Sequence, residues 1–174
     1  MSVEPVFTSL VKPTRRAYRG GTVEPEPPKK CAWVVLVMIG DSYIPGALVI
    51  GQSLRSLKTQ HDIVCMVTND VSEAARAQLR GTESNPVYDL VQEVPYVEHL
   101  TFTYTAKKQI ELYGGWSSRS YTKWNCLNLH QYDRVILLDA DMVILANIDS
   151  LFNLKAPAAC FSNPWAAPWQ RRSG

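Results

Sequence analysis

The sequence has no large excess of charge of either sign. Its 18 basic and 16 acidic side chains give a formal net charge of +2. Proteins that bind nucleic acid or an anionic membrane surface through their charge have a clear basic excess. We therefore expect neither nucleic acid nor a membrane among the partners of this chain.

Long hydrophobic runs are also missing. The longest extends only from Ala32 to Ile39, whereas a helix that spans a bilayer needs roughly 20 apolar residues. The run follows a proline-rich segment and does not stand at the start of the chain, where a signal peptide would lie. These absences predict a cytoplasmic protein without a transmembrane segment.

Cysteine and histidine are few and scattered. The four cysteines form no Cys-x-x-Cys pair and lie mostly within or beside apolar segments: Cys31, Cys65, Cys126 and Cys160. Reduced, buried thiols are therefore favoured over disulfides or a metal site. The three histidines are not at ligand spacing from each other or from a cysteine, which favours ordinary turn or helix-end residues: His61, His99 and His130.

Apolar runs alternate with helical patterns along the chain. Residues 31–40 form a continuous apolar run, as strands covered on both faces do. Runs at 63–68 and 90–97 predict two more strands, and helical patterns over 47–58 and 72–79 lie between them. This order predicts an α/β fold with an open, mainly parallel sheet and helices on both faces.

The ends and the later part of the chain complete this outline. Residues 1–30 are rich in proline and basic side chains and bury little apolar area, so we expect a disordered tail. Helices are predicted at 106–112 and 122–129, with a loop around 114–118 between them. A strand that starts near residue 134 follows the second of these helices.

The stretch 134–152 contains the strongest chemical signal. An apolar run there ends in Asp139 and Asp141, which are separated only by Ala140. Residues two apart in a strand point to the same side, so the carboxylates are expected to converge at the strand end. Such oxygen ligands hold Mg²⁺ or Mn²⁺, with water and substrate phosphates at the remaining positions. A solvated turn is the alternative, but apolar residues on both sides, including 142–145, favour a metal site.

Polar residues also follow two other predicted strands. Gly40 and Asp41 come after the first strand, and Asn69 and Asp70 after the second. Ligands of open α/β sheets bind beyond the carboxyl ends of the strands. We therefore expect one crevice lined by these residues and by the aspartate pair.

Two further residues have both a structural and a functional interpretation. Lys123 opens the helix that precedes the aspartate strand, where it is either a solvated lysine or a cation for a phosphate oxygen. Tyr43 follows a glycine-containing turn, where its ring either stacks on a base or covers the core. The residues alone leave both questions open.

Three strings together resemble glycosyltransferase family 8, the group that contains glycogenin and galactinol synthase: VMIGDSYIPGALVIGQSL, SYTKWNCLNL and YDRVILLDADMVILANIDSLFNL. The similarity covers residues from about 32 to 165, and it is greatest to the short insect-virus members. It implies a GT-A type, Rossmann-like α/β fold. It also implies transfer of a hexose from a UDP-sugar to an unknown acceptor hydroxyl, with retention at the anomeric carbon.

Matched residue by residue, the resemblance implies a donor site. It makes Asp139 and Asp141 ligands of Mn²⁺ or Mg²⁺, which bridges the diphosphate of the UDP-sugar, and it places Ala140 near the ribose. It implies that Lys123 contacts the phosphates and the sugar. The positions implied to hold uracil and ribose are Val37, Ile39, Gly40 and Tyr43.

The chain departs from the family pattern in several places. Ile39 and Gly40 stand where glycogenin has a hydroxyl and an amide, so contacts to the base there are expected from the backbone alone. The family's arginine upstream of the lysine has two candidates, Arg119 and Lys108. Family members continue with a third metal ligand, a histidine, and a lysine-containing closing loop.

We therefore expect residues 31–174 to form the donor part of the domain, with the acceptor part largely missing. An unfinished sheet edge would then favour a homo-oligomer. One alternative is a truncated module that binds a nucleotide sugar without transferring it. Another is a haloacid-dehalogenase phosphatase, whose Asp-x-Asp motif also follows an apolar strand. That motif lies on the first strand of those enzymes, and the late position of Asp139 here argues against it.

Overall fold

The structure, a computed structural model, describes residues 29–99 and 116–159. The strands are β1 (Cys31–Val37), β2 (Asp62–Val67), β3 (Gly81–Thr82), β4 (Asn85–Pro86), β5 (Leu90–Glu93) and β6 (Arg134–Leu138). Helices α1 (Ile44–Ser56) and α2 (Glu73–Arg80) are α-helical, and 3₁₀ helices span Ser120–Asn128 and Asp149–Asn153.

Four of the strands form one parallel sheet in the order β5-β2-β1-β6. The other two, β3 and β4, form a short antiparallel pair. The central strand β1 is covered on both sides, which explains its continuous apolar sequence. The predicted α/β class with a mainly parallel sheet is therefore confirmed.

Helices cover both faces of this sheet. On one face, Trp33 and Val35 pack in a buried cluster with side chains of α1 and α2. On the other face, Ala32 and Val34 pack with Cys126, which the 3₁₀ helix Ser120–Asn128 carries. The sheet is thus the middle of three layers, and its carboxyl-terminal edge is left for the loops.

Two boundaries differ from the prediction because of proline chemistry. Helix α1 begins at Ile44, before the predicted residue 47, because Pro45 lies in the first turn, where no backbone N–H is needed. Strand β5 ends at Glu93 and not at residue 97, since Pro95 has no N–H for a ladder hydrogen bond. The predicted cap of α2 is confirmed, because the Ser72 hydroxyl accepts a hydrogen bond from the Ala75 N–H at 3.2 Å.

The segment before β6 is more helical than predicted. Residues 116–119, which we expected in a loop, form a helical turn that leads into the 3₁₀ helix Ser120–Asn128. The Ser120 hydroxyl donates to the Ser117 carbonyl at 2.8 Å, so a serine of the predicted loop takes part in the hydrogen bonds of this turn.

The segment after β6 is tied back to the end of α1 by Asp149. Its carboxylate accepts hydrogen bonds from the Thr59 hydroxyl at 2.5 Å and from the Gln60 N–H at 2.9 Å. Trp33 also donates to it from Nε1 at 3.3 Å, and the Trp33 ring packs against Phe152 with centroids 4.6 Å apart. The Asn-Ile-Asp-Ser-Leu-Phe tail of the last motif therefore has a structural role.

Some predictions lie outside the described residues: the tail up to residue 28, the helix at 106–112, Lys108 and Cys160. Lys30, which we expected in the tail, is bound at the amino end of the sheet, where its N–H donates to Asp133 at 2.8 Å. The other three cysteines are buried and unpaired. Within the two described ranges, no helix has the length and apolar character needed to cross a bilayer.

Candidate functional site

The two aspartates lie just beyond β6. The strand ends at Leu138, Asp139 follows it, and Ala140 and Asp141 form a turn. Both carboxylates are exposed, whereas Ala140 between them is buried. The prediction of a strand that reaches Asp141 is therefore wrong, and a turn, not strand alternation, brings the pair to one place.

The residues after the pair are also less buried than predicted. Of the apolar stretch 142–145, only Ile144 is in the core, and Leu145 is 88% exposed. Ala140 and Ile144 pack in the same buried cluster as Ile44 and Ala47 of α1. Ala140 within the turn and Ile144 shortly after it thus anchor this segment in the core, whereas the two aspartates are exposed.

Gly46 allows this packing in the first turn of α1. A Cβ built on Gly46 would overlap the carbonyl oxygen of Ala140. The string Gly-Asp-Ser-Tyr-Ile-Pro-Gly and the Asp-x-Asp pair, which stand far apart in the sequence, therefore meet here through their backbones. Any side chain at position 46 would displace the turn.

A cavity of about 250 Å³ opens beside the aspartates. Its lining residues come from the ends of β1 and β6, the loop before α1 and the helical segment 116–128: Leu36, Met38, Tyr43, Trp116, Lys123, Leu137, Leu138, Asp139, Ala140 and Asp141. Five of the predicted site residues are thus brought together in one cavity. Its wall is partly apolar and carries two acidic groups and one basic group.

Lys123 is the basic group. Its Nζ lies 3.1 Å from Oδ1 of Asp139, an ion pair in which the lysine side chain is one-third exposed. Lys123 is therefore paired with an acid of the cavity and is not a freely solvated helix lysine. Two carboxylates and one ammonium leave the cavity with a local negative charge, which favours a cation.

The other three predicted residues do not line this cavity. Val37 is completely buried, and its carbonyl accepts the Thr68 N–H at 3.2 Å. The N–H groups of Ile39 and Gly40 donate to the Tyr96 hydroxyl at 2.9 Å and to Asp70 at 3.2 Å. The backbone donors that we expected to face a base are therefore already engaged with side chains.

The predicted single crevice is only partly present. Asp41 accepts hydrogen bonds from the N–H and hydroxyl of Ser72, at 2.9 and 2.6 Å, and these bonds hold the pKa of Asp41 below its usual value. Asp70 is engaged with the loop after β1. These acids organise loops, so among residues 29–99 and 116–159 the cavity receives its carboxylates from Asp139 and Asp141.

Two aromatic residues near the site were not predicted. Trp116 lines the cavity with 46% of its surface exposed, and Tyr43, also a lining residue, is 47% exposed. Tyr96 lies behind the loop after β1, where its hydroxyl reaches that loop. Periodicity gives no signal for either Trp116 or Tyr96, because both positions follow from tertiary packing.

Of the two candidates for the family arginine, Arg119 and Lys108, the structure describes only Arg119. Arg119 lies over the ring of Tyr96, with its Cζ 4.4 Å from the centroid, and pairs with Glu98 at 2.8 Å. It does not line the cavity. Lys108 falls outside the described residues.

The donor set fits a hard divalent cation with open positions. Two carboxylates line the cavity, and such ions are often held by one or two carboxylates with phosphate oxygens and water completing the shell. No cluster of three or more histidine, cysteine or acidic side chains occurs in the part of the chain that the structure describes. Residues 29–99 and 116–159 therefore place no third carboxylate, histidine or cysteine ligand beside the pair.

Comparison with known proteins gives several matches. An uncharacterized protein, R707, of Acanthamoeba polyphaga mimivirus is 38% identical over 132 residues, which cover 74% of this chain and 42% of that protein. Human glycogenin-1 is 30% identical over 131 residues, 75% of this chain and 35% of its own length. A UDP-glucuronate:xylan alpha-glucuronosyltransferase of Arabidopsis thaliana is 26% identical over 136 residues, which cover 78% of this chain and 18% of that protein.

The chain thus spans less than half the length of these relatives. A family model described as glycosyl transferase family 8 matches residues 34–172, a range that includes β1, the cavity and the aspartate pair. This assignment is incompatible with the phosphatase alternative. The match covers most of the sequence, and the chain belongs to glycosyltransferase family 8.

Proposed function

We propose that this chain carries the donor site of a metal-dependent, retaining glycosyltransferase that moves a hexose from a UDP-sugar to an acceptor hydroxyl. The observation that carries the proposal is the cavity in which Lys123, Asp139 and Asp141 meet. Family membership supports glycosyl transfer, and one relative is named for a UDP-sugar donor. Residues 31–174 would then be the donor part of the domain.

Asp139 and Asp141 would hold Mn²⁺ or Mg²⁺. The bound ion would neutralise the charge that develops on the UDP leaving group. The pair suits this role because its carboxylates are exposed into the cavity while Ala140 anchors the turn in the core. A turn anchored in this way would need little backbone reorganisation when a ligand arrives.

Lys123 would bind a phosphate oxygen of the donor. A charge-assisted hydrogen bond from an ammonium to a phosphate is stronger than one between neutral groups. The lysine already lies at the cavity wall beside Asp139, so a small side-chain movement would bring Nζ to a phosphate there. It would stabilise the leaving group as the bond to the sugar breaks.

The nucleoside would lie against the aromatic and apolar part of the wall. Tyr43 offers a half-exposed ring for stacking, and Ala140 offers backbone near the ribose. Ile39 and Gly40 would contribute carbonyl oxygens, since their N–H groups are engaged. Val37 would contribute by supporting this loop, because it is completely buried.

A nucleotide-sugar-binding module without transfer is the alternative function. Transfer requires an acceptor held next to the donor sugar, whereas the cavity proposed here would hold the donor. We also keep two predictions that rest on sequence alone, a cytoplasmic location and association of copies of this chain.

Calorimetric titration of UDP into the full chain, with and without Mn²⁺, tests the donor site. We expect binding that requires Mn²⁺ and that is lost in Asp139→Asn/Asp141→Asn. A charge-matched control is Glu73→Gln/Glu83→Gln, which alters two exposed acids outside the cavity and should bind as the unaltered chain does. Absence of binding by a chain that is folded by circular dichroism would refute the proposal.

Release of UDP from a panel of UDP-sugars then separates transfer from binding alone. A transferase releases UDP when it transfers the sugar to its acceptor. Without an acceptor, it releases UDP slowly because water takes the sugar instead. UDP binding without any release would favour the alternative, the binding module.

A further inference from the structure

The loop after β1 has an uncommon backbone conformation. Ile39 and Gly40 are consecutive residues in the left-handed region, with φ of 61° and 73°. Glycine adopts this region freely, but a β-branched side chain does so only at a cost. Strained residues of this kind persist where surrounding contacts over-determine them, and they cluster at functional sites.

Two side chains hold this loop. The Tyr96 hydroxyl accepts the Ile39 N–H at 2.9 Å and donates to the Asp70 carboxylate at 2.9 Å. The same carboxylate oxygen of Asp70 accepts the Gly40 N–H at 3.2 Å. Both left-handed residues are therefore fixed through their N–H groups by one tyrosine–aspartate pair.

Asp70 is suited to this role because it stays ionised. Burial alone raises its pKa, but hydrogen bonds from the Thr68 and Tyr96 hydroxyls and from Gly40 outweigh that effect and lower the pKa overall. The Thr68 hydroxyl contributes a bond of 2.5 Å. The carboxylate accepts from several donors at once, so its position is closely defined.

Tyr96 is located in turn by the segment that carries the other wall of the cavity. Arg119 stacks on its ring at 4.4 Å and pairs with Glu98 at 2.8 Å. Arg119 lies in the same helical turn, residues 116–119, as Trp116, and it immediately precedes the 3₁₀ helix that carries Lys123. One network thus connects the loop that leads to Tyr43 with the segment of Trp116 and Lys123.

From these contacts we infer that Tyr96 and Asp70 are positioning residues for the donor site: they hold Ile39 and Gly40 in the left-handed conformation and so set the place of Tyr43 relative to Lys123 and the aspartates. The inference rests on the proposed function, because it assigns these residues to the binding of a nucleoside diphosphate. Neither residue lines the cavity, and both would act on the nucleotide through the loop that they hold.

The test uses Tyr96→Phe in the full chain, which keeps the ring under Arg119 and removes only the hydroxyl. The chain offers a matched control in Tyr132→Phe, since the Tyr132 hydroxyl donates to Asp62 at 2.9 Å at the opposite edge of the sheet. Two measurements are made on each variant: the dissociation constant for UDP at saturating Mn²⁺, and the hydrogen-exchange rates of the Ile39 and Gly40 amides.

We expect Tyr96→Phe to weaken UDP binding about tenfold, as loss of one hydrogen bond to a charged group implies, and to accelerate exchange at Ile39. Mn²⁺ binding without nucleotide should stay unchanged in this variant, because the aspartate turn is anchored separately. Tyr132→Phe should alter neither UDP binding nor these amides. Asp70→Asn, which retains an acceptor for the Gly40 N–H, should bind UDP better than Asp70→Ala does.

UDP affinity within twofold of the unaltered chain in a folded Tyr96→Phe sample would overturn the inference. Unchanged exchange at Ile39 would do the same, and this second measurement needs no ligand. If the unaltered chain itself binds no UDP, the proposed function fails, while the exchange rates still decide whether Tyr96 holds the loop.

Discussion

The backbone of Gly46 packs so closely on Ala140 that a Cβ at position 46 would overlap the Ala140 carbonyl oxygen. This contact joins the first turn of α1 to the turn between Asp139 and Asp141. The placement of the acidic pair thus depends on the absence of a side chain on another element. The two most distinctive strings of the sequence are thus in direct backbone contact.

Gly46→Ala should therefore weaken the donor site as well as the fold. The added methyl group forces the Ala140 turn to move, and overpacking of this kind costs about 1–3 kcal/mol of unfolding free energy. We expect Mn²⁺-dependent UDP binding to fall at least about tenfold, since displacement of ligands by a fraction of an ångström is costly at such sites. Urea unfolding and calorimetry measure the two effects.

Gly51→Ala is the matched control for this variant. A Cβ on Gly51 would lie 2.7 Å from Cγ1 of Val87 and 2.9 Å from a ring carbon of Tyr88, in the core away from the aspartates. It should lower stability while UDP affinity stays within about twofold. Equal loss of UDP affinity in both variants would show that Gly46 acts only through global stability.

Sequence patterns predicted the parts of this molecule that repeat with a regular period. The continuous apolar run of β1 and the alternation of strands and helices sufficed for a parallel sheet, and the Asp-x-Asp string indicated the aspartate pair. Asp41 and Asp70 were assigned to the crevice because they follow strands, yet both bind loop hydrogen-bond donors. An acid that follows a strand can bind either a ligand or the N–H groups of nearby loops, and its position in the sequence does not distinguish these two roles.

The sequence also did not predict that Trp116 would line the cavity. Trp116 reaches it because residues 116–119 form a helical turn, which is stabilised by Ser120 bonding back to Ser117. Serine pairs are more typical of loops, and the local pattern therefore indicated a loop. Tertiary packing overrode that preference, and it added the aromatic ring of Trp116 to the wall of the cavity.

Lys123→Met should change the binding of metal and of nucleotide in opposite directions. The Lys123 ammonium competes with a cation for Asp139, so its removal should tighten Mn²⁺ binding in the absence of nucleotide by about two- to fivefold, the range of an exposed ion pair. UDP binding at saturating Mn²⁺ should weaken about tenfold, because the phosphate loses a charge-assisted hydrogen bond. Calorimetric titrations with Mn²⁺ alone and with UDP separate the two effects.

Lys155→Met provides the control, since Lys155 is exposed and does not line the cavity. It should leave both titrations unchanged. If Lys123→Met weakened Mn²⁺ binding without nucleotide, the lysine would be supporting the aspartates and not competing for them.

Ile39→Gly should leave the stability of the fold nearly unchanged. Relief of a left-handed conformation at a β-branched residue is worth about 1–2 kcal/mol, and the greater flexibility of glycine in the unfolded chain offsets roughly half of it. Ile39 is 40% exposed, so more than half of its surface is buried, and loss of that burial costs about 1 kcal/mol. We expect the unfolding free energy in urea titrations to stay within about 1 kcal/mol of that of the unaltered chain. A decrease of about 2 kcal/mol or more would mean that burial of the Ile39 side chain outweighs the strain in the loop backbone.

Asp149 should make the stability of this chain sensitive to acid. Burial alone raises its pKa, but hydrogen bonds from the Thr59 hydroxyl, the Gln60 N–H and the Asn147 side chain outweigh burial and lower the pKa below the usual value of 3.8. A carboxyl group with a lowered folded-state pKa stabilises the fold above its unfolded-state pKa, and this contribution disappears as the pH falls through the folded-state pKa. Asp149→Asn should therefore cost about 1 kcal/mol at pH 6. The difference between the two proteins should shrink steadily below pH 3.8, as urea unfolding at a series of pH values would show. A difference that is constant across this range would mean that the shape of the side chain, and not its charge, holds the segment after β6 against α1.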